Sequence, residues 1–180
     1  MVEREVFDVL QDFCKTMPGT FLIIKDLDMI NVDPEKRVKK GGREIDFLVI
    51  DGTHGTIMNI EVKNHLTDFK KELEDESSID KAKRQVEENK EFLEDWLGAD
   101  ISDKWQFISM VYTLELDENI RSCDDCKLFI ASGKEELLIN LQNIYCPIIK
   151  RDFVKIPPRE FKLIARYLLF CSPVVALPIG

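Results

Sequence analysis

Histidine is nearly missing from this 180-residue chain: only His54 and His65 occur. Two such residues do not suit a His-based zinc hydrolase. No Gly-rich phosphate loop, no dinucleotide fingerprint and no Gly-x-Ser-x-Gly turn is present, which sets aside three large classes of chemistry. Basic residues are outnumbered, 25 Lys and Arg against 34 Asp and Glu, for a formal net charge of −9. Proteins that coat nucleic acid are usually basic. Broad nucleic-acid affinity is therefore disfavoured, and any nucleic-acid track has to be local. No uninterrupted apolar run of membrane length occurs. The most apolar stretch, 163–179, is broken by Arg166, Pro173 and Pro178, and reads as a buried helix and tail. The start, MVERE, lacks an apolar signal region. The five cysteines are odd in number and widely spaced, so they read as reduced thiols and an intracellular setting, cytoplasmic or nuclear, is expected.

What is present suits a globular domain. Hydrophobic residues make up 44% and charged residues 33%, and 180 residues can bury one sizeable core. A single domain over 1–180 is expected, which can itself be part of a longer protein. Val6, Val9, Leu10 and Phe13 recur at helical spacing within 3–13. Short apolar strands are expected at 21–24, 45–50 and 56–63, the last two as a hairpin around Asp51-Gly52. Residues 31–42 read as a polar connection with Asp33-Pro34 and Gly41-Gly42 as turn signals. The clearest helix runs from 77 to 97, with Ile79, Ala82, Val86, Leu93 and Leu97 on one face and Gly98 closing it. Strands follow at 105–116 and 127–131, then a short helix at 133–141 and a last helix at 158–171. The fold class is α/β, a mixed sheet flanked by helices.

The chemistry gathers on two strands. Residues two apart on a strand point to one face, so Glu61 and Lys63 project together while Ile60 and Val62 face the other way. Asp46 sits among Ile45, Phe47, Leu48, Val49 and Ile50, where a carboxylate is costly to bury unless paired or metal-bound. If these strands are neighbours, Asp46 and Glu61 can converge on a Mg²⁺ or Mn²⁺ ion, both of which favour oxygen ligands. Lys63 can then orient an attacking water or offset charge developing on a phosphate. A buried carboxylate–lysine pair of purely structural role explains the same residues. Gln85 falls on the inward side of the long helix, where an amide needs partners. Water, Lys63 or a substrate phosphate can supply them, as can solvent at the edge of the helix.

The pieces stand in a familiar order. Glu3-Arg4-Glu5-Val6 with Leu10, Lys25-Asp26-Leu27, the run Glu44 to Ile50 around Asp46, Ile60-Glu61-Val62-Lys63-Asn64, and Gln85 with Asn89 and Leu93 all bear on it. This set, over residues 1–132, resembles the nuclease-related domain (NERD) branch of the PD-(D/E)XK nuclease superfamily. Val2 stands where that family has a glycine. The resemblance implies a restriction-endonuclease-like core, with 133–180 as a helical extension. It implies Asp46 and Glu61 as metal ligands, the Val62 backbone carbonyl as a further ligand and Lys63 as the catalytic lysine. It also implies Glu3 as an outer carboxylate and Gln85 as the residue that positions water or substrate.

Lys36, Arg37, Lys39, Lys40 and Arg43 form a basic loop ahead of Asp46. It can guide a phosphate backbone, or simply be solvated. Lys81, Lys83 and Arg84 extend it, diluted by Glu87 and Glu88. Cys123-Asp124-Asp125-Cys126 has zinc-knuckle spacing, but only Cys146 offers a third ligand. The expected function is Mg²⁺- or Mn²⁺-dependent hydrolysis of phosphodiester bonds in DNA or RNA. The alternative is a catalytically weak or inactive nuclease-fold module for nucleic-acid binding or regulation within a larger protein. No membrane partner is expected.

Overall fold

Val6, Leu10, Phe13 and Cys14 form the buried stripe of helix α1, Val2–Thr16, as the helical spacing predicts. The computed structural model describes residues 2–32, 39–117, 120, 128–150, 158–170 and 176–179. Strands β1 (Phe21–Val32), β2 (Lys39–Asp51) and β3 (Thr56–Leu66) follow α1, then helices α2 (Ser78–Leu97) and α3 (Ala99–Ser102). The remainder is β4 (Gln106–Leu116), β5 (Leu128–Ser132), α4 (Gly133–Lys150), α5 (Pro158–Phe170) and β6 (Ala176–Ile179).

The six strands form one sheet in the order β5-β4-β3-β2-β1-β6. β1, β2 and β3 are an antiparallel meander. α2 lies between β3 and its parallel neighbour β4 in the chain, as parallel pairing requires a crossover. One face of the sheet carries Phe47, Val49, Met58, Ile60 and Tyr112 into a core closed by α1 and α4. The opposite face packs Leu48, Ile50 and Ile57 against Leu93 and Leu97 of α2 and Ile164 of α5. The α2 N-terminus is capped by Ser77, whose hydroxyl accepts the Asp80 N–H at 3.2 Å. Gly98, at φ +81°, ends it and donates its N–H to the Glu94 carbonyl, a turn that disfavours any residue with a Cβ.

Three expectations change. Residues 31–42 are not a polar connection throughout: β1 runs on to Val32 and β2 begins at Lys39, with Met29↔Arg43 and Ile30↔Gly42 in register. An irregularity between Ile30 and Val32 takes up the slack, the usual effect of a bulge. Polar residues and glycines give no alternating pattern, so a strand paired through its backbone is hidden there. The helix expected at 133–141 continues to Lys150 through Pro147, because Ile144, Tyr145 and Ile148 extend its buried stripe. Pro147 sits on the exposed side, where solvent can satisfy the carbonyl it leaves free. Finally, Ala176–Ile179 pairs with β1 as the sheet edge, a position that tolerates Pro178.

Candidate functional site

β2 and β3 part company at one point. Their ladder runs from Asp51↔Thr56 to Phe47↔Ile60 and stops there. Beyond it β2 pairs only with β1, as far as Val32↔Lys39, and β3 only with β4, as far as Leu66↔Leu116. The burial of β3 changes at the same place: its first six residues are buried, and exposure begins at Val62. The sheet therefore forks at Asp46 and Glu61, the next residues in the same register.

Side chains fill the fork. Asp46 Oδ2 accepts the Val62 N–H at 2.8 Å, replacing the strand partner that Val62 lacks on that side. Glu61 is 5% exposed. Its Oε1 accepts from Asn89 Nδ2 at 2.7 Å, and its Oε2 lies 3.9 Å from Lys63 Nζ. Burial, and next the negative charge of Asp46, push the Glu61 carboxyl up from 4.5 to about 7, against the pull of Lys63 and the Asn89 amide. Such a shift is typical of two acids sharing one low-dielectric site.

Gln85 stands one helical turn before Asn89 on α2. Its Oε1 is buried and has no hydrogen-bond partner. A buried acceptor left unpaired is costly, so this atom has unused capacity for a ligand or water. Two carboxylates and a strand carbonyl fit a hard cation such as Mg²⁺, which keeps several of its own waters. Among the described residues no group of three or more His, Cys, Asp and Glu gathers for a metal.

Glu3 reaches the rim of this site without joining the pair. With Val2, Val62, Lys63 and Asn64 it lines a cavity of about 380 Å³, but its carboxylate lies 3.4 Å from Lys25 Nζ. Lys25 also faces Asp26 at 3.7 Å. Asp26 holds φ +54°, an unusual value for a residue other than glycine, at the position bracketed by Lys25↔Phe47 and Leu27↔Ile45.

The basic segment divides. Lys36 and Arg37 lie outside the described residues, while Lys39, Lys40 and Arg43 belong to β2 rather than to a loop. Arg84 does not extend a free patch: it is held by Glu76 at 2.6 Å and Glu88 at 3.2 Å. Cys123 and Cys126 lie outside the described residues, and Cys146 is exposed on α4. His54 is bound to the buried Asp51 at 2.6 Å, and His65 to Asp117 at 2.7 Å. The residue whose part sequence reasoning missed is Asn89, 1% exposed. Its signal was a polar amide set between Val86 and Leu93 on an otherwise apolar helix stripe.

A mixed sheet flanked by helices, forked beside two acidic side chains and a lysine, has the architecture of a nuclease-like core. The chain belongs to the nuclease-related domain (NERD) family, whose model matches residues 1–114, from α1 into β4. No curated protein and no solved structure matches the chain. Among the described residues no helix is long and apolar enough to cross a membrane.

Proposed function

We propose that this domain hydrolyses phosphodiester bonds of DNA or RNA with Mg²⁺ or Mn²⁺ as cofactor. The observation that carries the reading is the meeting of Asp46 and Glu61 at the strand fork, with Lys63 on the same face of β3. Asp46, Glu61 and the Val62 carbonyl would hold the cation. When bound, it supplies positive charge that polarises the phosphate and acidifies a water. Asn89 fixes one Glu61 oxygen through its 2.7 Å hydrogen bond and leaves the other turned toward Lys63. The Lys63 ammonium offsets charge developing on the phosphate oxygens. Gln85 offers its unpaired Oε1 to a water proton. Glu3, at the cavity shared with Lys63, acts as the outer carboxylate once it leaves Lys25. Lys36, Arg37, Lys39, Lys40 and Arg43, the basic residues ahead of Asp46 in the chain, would supply phosphate contacts.

A second reading, a catalytically weak nuclease-fold module, is favoured by one observation: Glu3 is engaged by Lys25 rather than by the acidic pair. One experiment separates the two. Labelled single- and double-stranded DNA and RNA are incubated with Mn²⁺, Mg²⁺ or EDTA and the wild type, Asp46→Ala or Lys63→Ala. Cleavage that needs metal and is lost in both variants is the expected result. A folded wild type that cuts no substrate under any metal defeats the hydrolytic reading.

A further inference from the structure

A second, larger cavity of about 610 Å³ begins at Lys63 and runs along residues 64–78 to the start of α2. Lys63, Thr67, Phe69, Lys71, Ser78 and Lys81 are among its lining residues. Phe69 is 77% exposed, an unusual state for an aromatic ring beside a functional site. Its backbone is nevertheless held. Phe69 N–H donates to Thr67 Oγ1 at 3.1 Å, and Thr67 N–H donates to Ser78 Oγ at 2.8 Å. The Thr67 carbonyl in turn accepts from the Ser78 hydroxyl and the Ile79 N–H. The base of the loop is thus tied to α2, and the ring is presented from an anchored backbone.

Charge does not account for this cleft as a binding surface. Glu74, Asp75 and Glu76 line it together with the lysines, Glu76 holds Arg84, and the whole chain carries −9. A nucleic acid bound here gains little from counterion release. An exposed aromatic face offers a holding force that does not depend on charge, because an unpaired base stacks on it. A duplex keeps its bases stacked on one another and cannot offer that face. Lys63 and Lys71 line the same cleft and can each meet a phosphate of the bound strand.

We infer that Phe69 stacks on an unpaired base and makes this cleft a track for single-stranded nucleic acid leading to Lys63. This deepens the proposed function and rests on its nucleic-acid reading.

The test is anisotropy of a fluorescein-labelled single strand and of its duplex in EDTA, where no metal-dependent cleavage intervenes. Phe69→Ala and Phe69→Leu should each weaken single-strand binding by about tenfold, in line with the loss of one base–aromatic stack. Phe69→Trp should retain or tighten it, duplex binding should stay unchanged, and the melting temperature should not move. The ratio of wild-type to Phe69→Ala single-strand affinity should change only shallowly with added salt. Rescue by Leu would assign the ring to a general apolar contact, as for a protein partner, and would overturn the inference. So would a Phe69→Ala variant that binds single strands like the wild type, or a wild type that binds none. The two readings fail separately. Intact cleavage in Phe69→Ala with unchanged binding leaves the hydrolytic proposal standing, whereas lost binding without any cleavage leaves only the stacking inference.

Discussion

Replacing Glu61 by glutamine should stabilise the metal-free protein at alkaline pH. Glu61 is buried, and its carboxyl ionises at about 7 instead of 4.5. Between those values the folded protein keeps a proton that the unfolded chain has released. Stability therefore falls as pH rises through this window and stays lowered above it. The interval corresponds to on the order of 3 kcal/mol at full ionisation. Glu61→Gln removes the charge and retains an oxygen for the Asn89 Nδ2 hydrogen bond. Its loss is the 3.9 Å attraction to Lys63, already counted in the shift. Near pH 8 in EDTA the melting temperature should rise by roughly 5–10 °C, at about 2–4 °C per kcal/mol for a chain of this size. Near pH 4, below both values, the two proteins should melt together to within about a degree. A variant that is no more stable than wild type near pH 8, or a gain that does not vary with pH, would refute the account of Glu61. Mn²⁺ should reverse the order, because it stabilises only a protein that binds it.

Mn²⁺ affinity, followed by calorimetry, should climb by up to about tenfold per pH unit below pH 7 and level off above it, since the ion displaces the Glu61 proton; an affinity flat across that range would count against Glu61 as a ligand. Asn89→Ala should cost about 1–3 kcal/mol in urea denaturation, the penalty for stranding a buried acceptor, and should move the pH midpoint of Mn²⁺ binding upward, because the Asn89 amide lowers the Glu61 value. Lys63→Ala should reduce cleavage by on the order of a hundredfold or more while leaving Mn²⁺ affinity within a few-fold, as expected of a group that acts on the phosphate. Gly52→Ala should destabilise by about 1–3 kcal/mol, because its new methyl would lie 2.6 Å from the Phe161 ring of α5; an unchanged urea midpoint would mean that α5 does not dock there.

The strand fork gives the acidic pair its character. A continuous β2–β3 ladder would seal Asp46 and Glu61 against each other inside the sheet, where two like charges are hard to sustain. Separation of the strands opens one side of the pair, so that a cation can reach oxygens already set in place by Val62 and Asn89. The raised Glu61 value reflects the same arrangement: the metal-free site holds more negative charge than its surroundings solvate.

Much of this was legible along the chain. Strand parity puts Glu61 and Lys63 on one face, and helical periodicity puts Gln85 on the inner side of α2, because both follow from backbone geometry within a few residues. The α/β class and the core strands 45–50 and 56–63 were readable for the same reason. What periodicity cannot supply is register between distant segments. Only the folded sheet pairs Phe47 with Ile60 and then parts, leaving Asp46 and Glu61 as the next residue on each strand. Only packing brings Asn89, 28 positions away, within 2.7 Å of Glu61, and removes the water that would keep its carboxyl near 4.5. The long β1–β2 arm and β6 are likewise products of backbone pairing, to which polar, glycine and proline side chains give no periodic signal. The sequence by itself determined which residues share a face. The tertiary structure decided which faces meet, because register, burial and charge are properties of segments brought together from far apart in the chain.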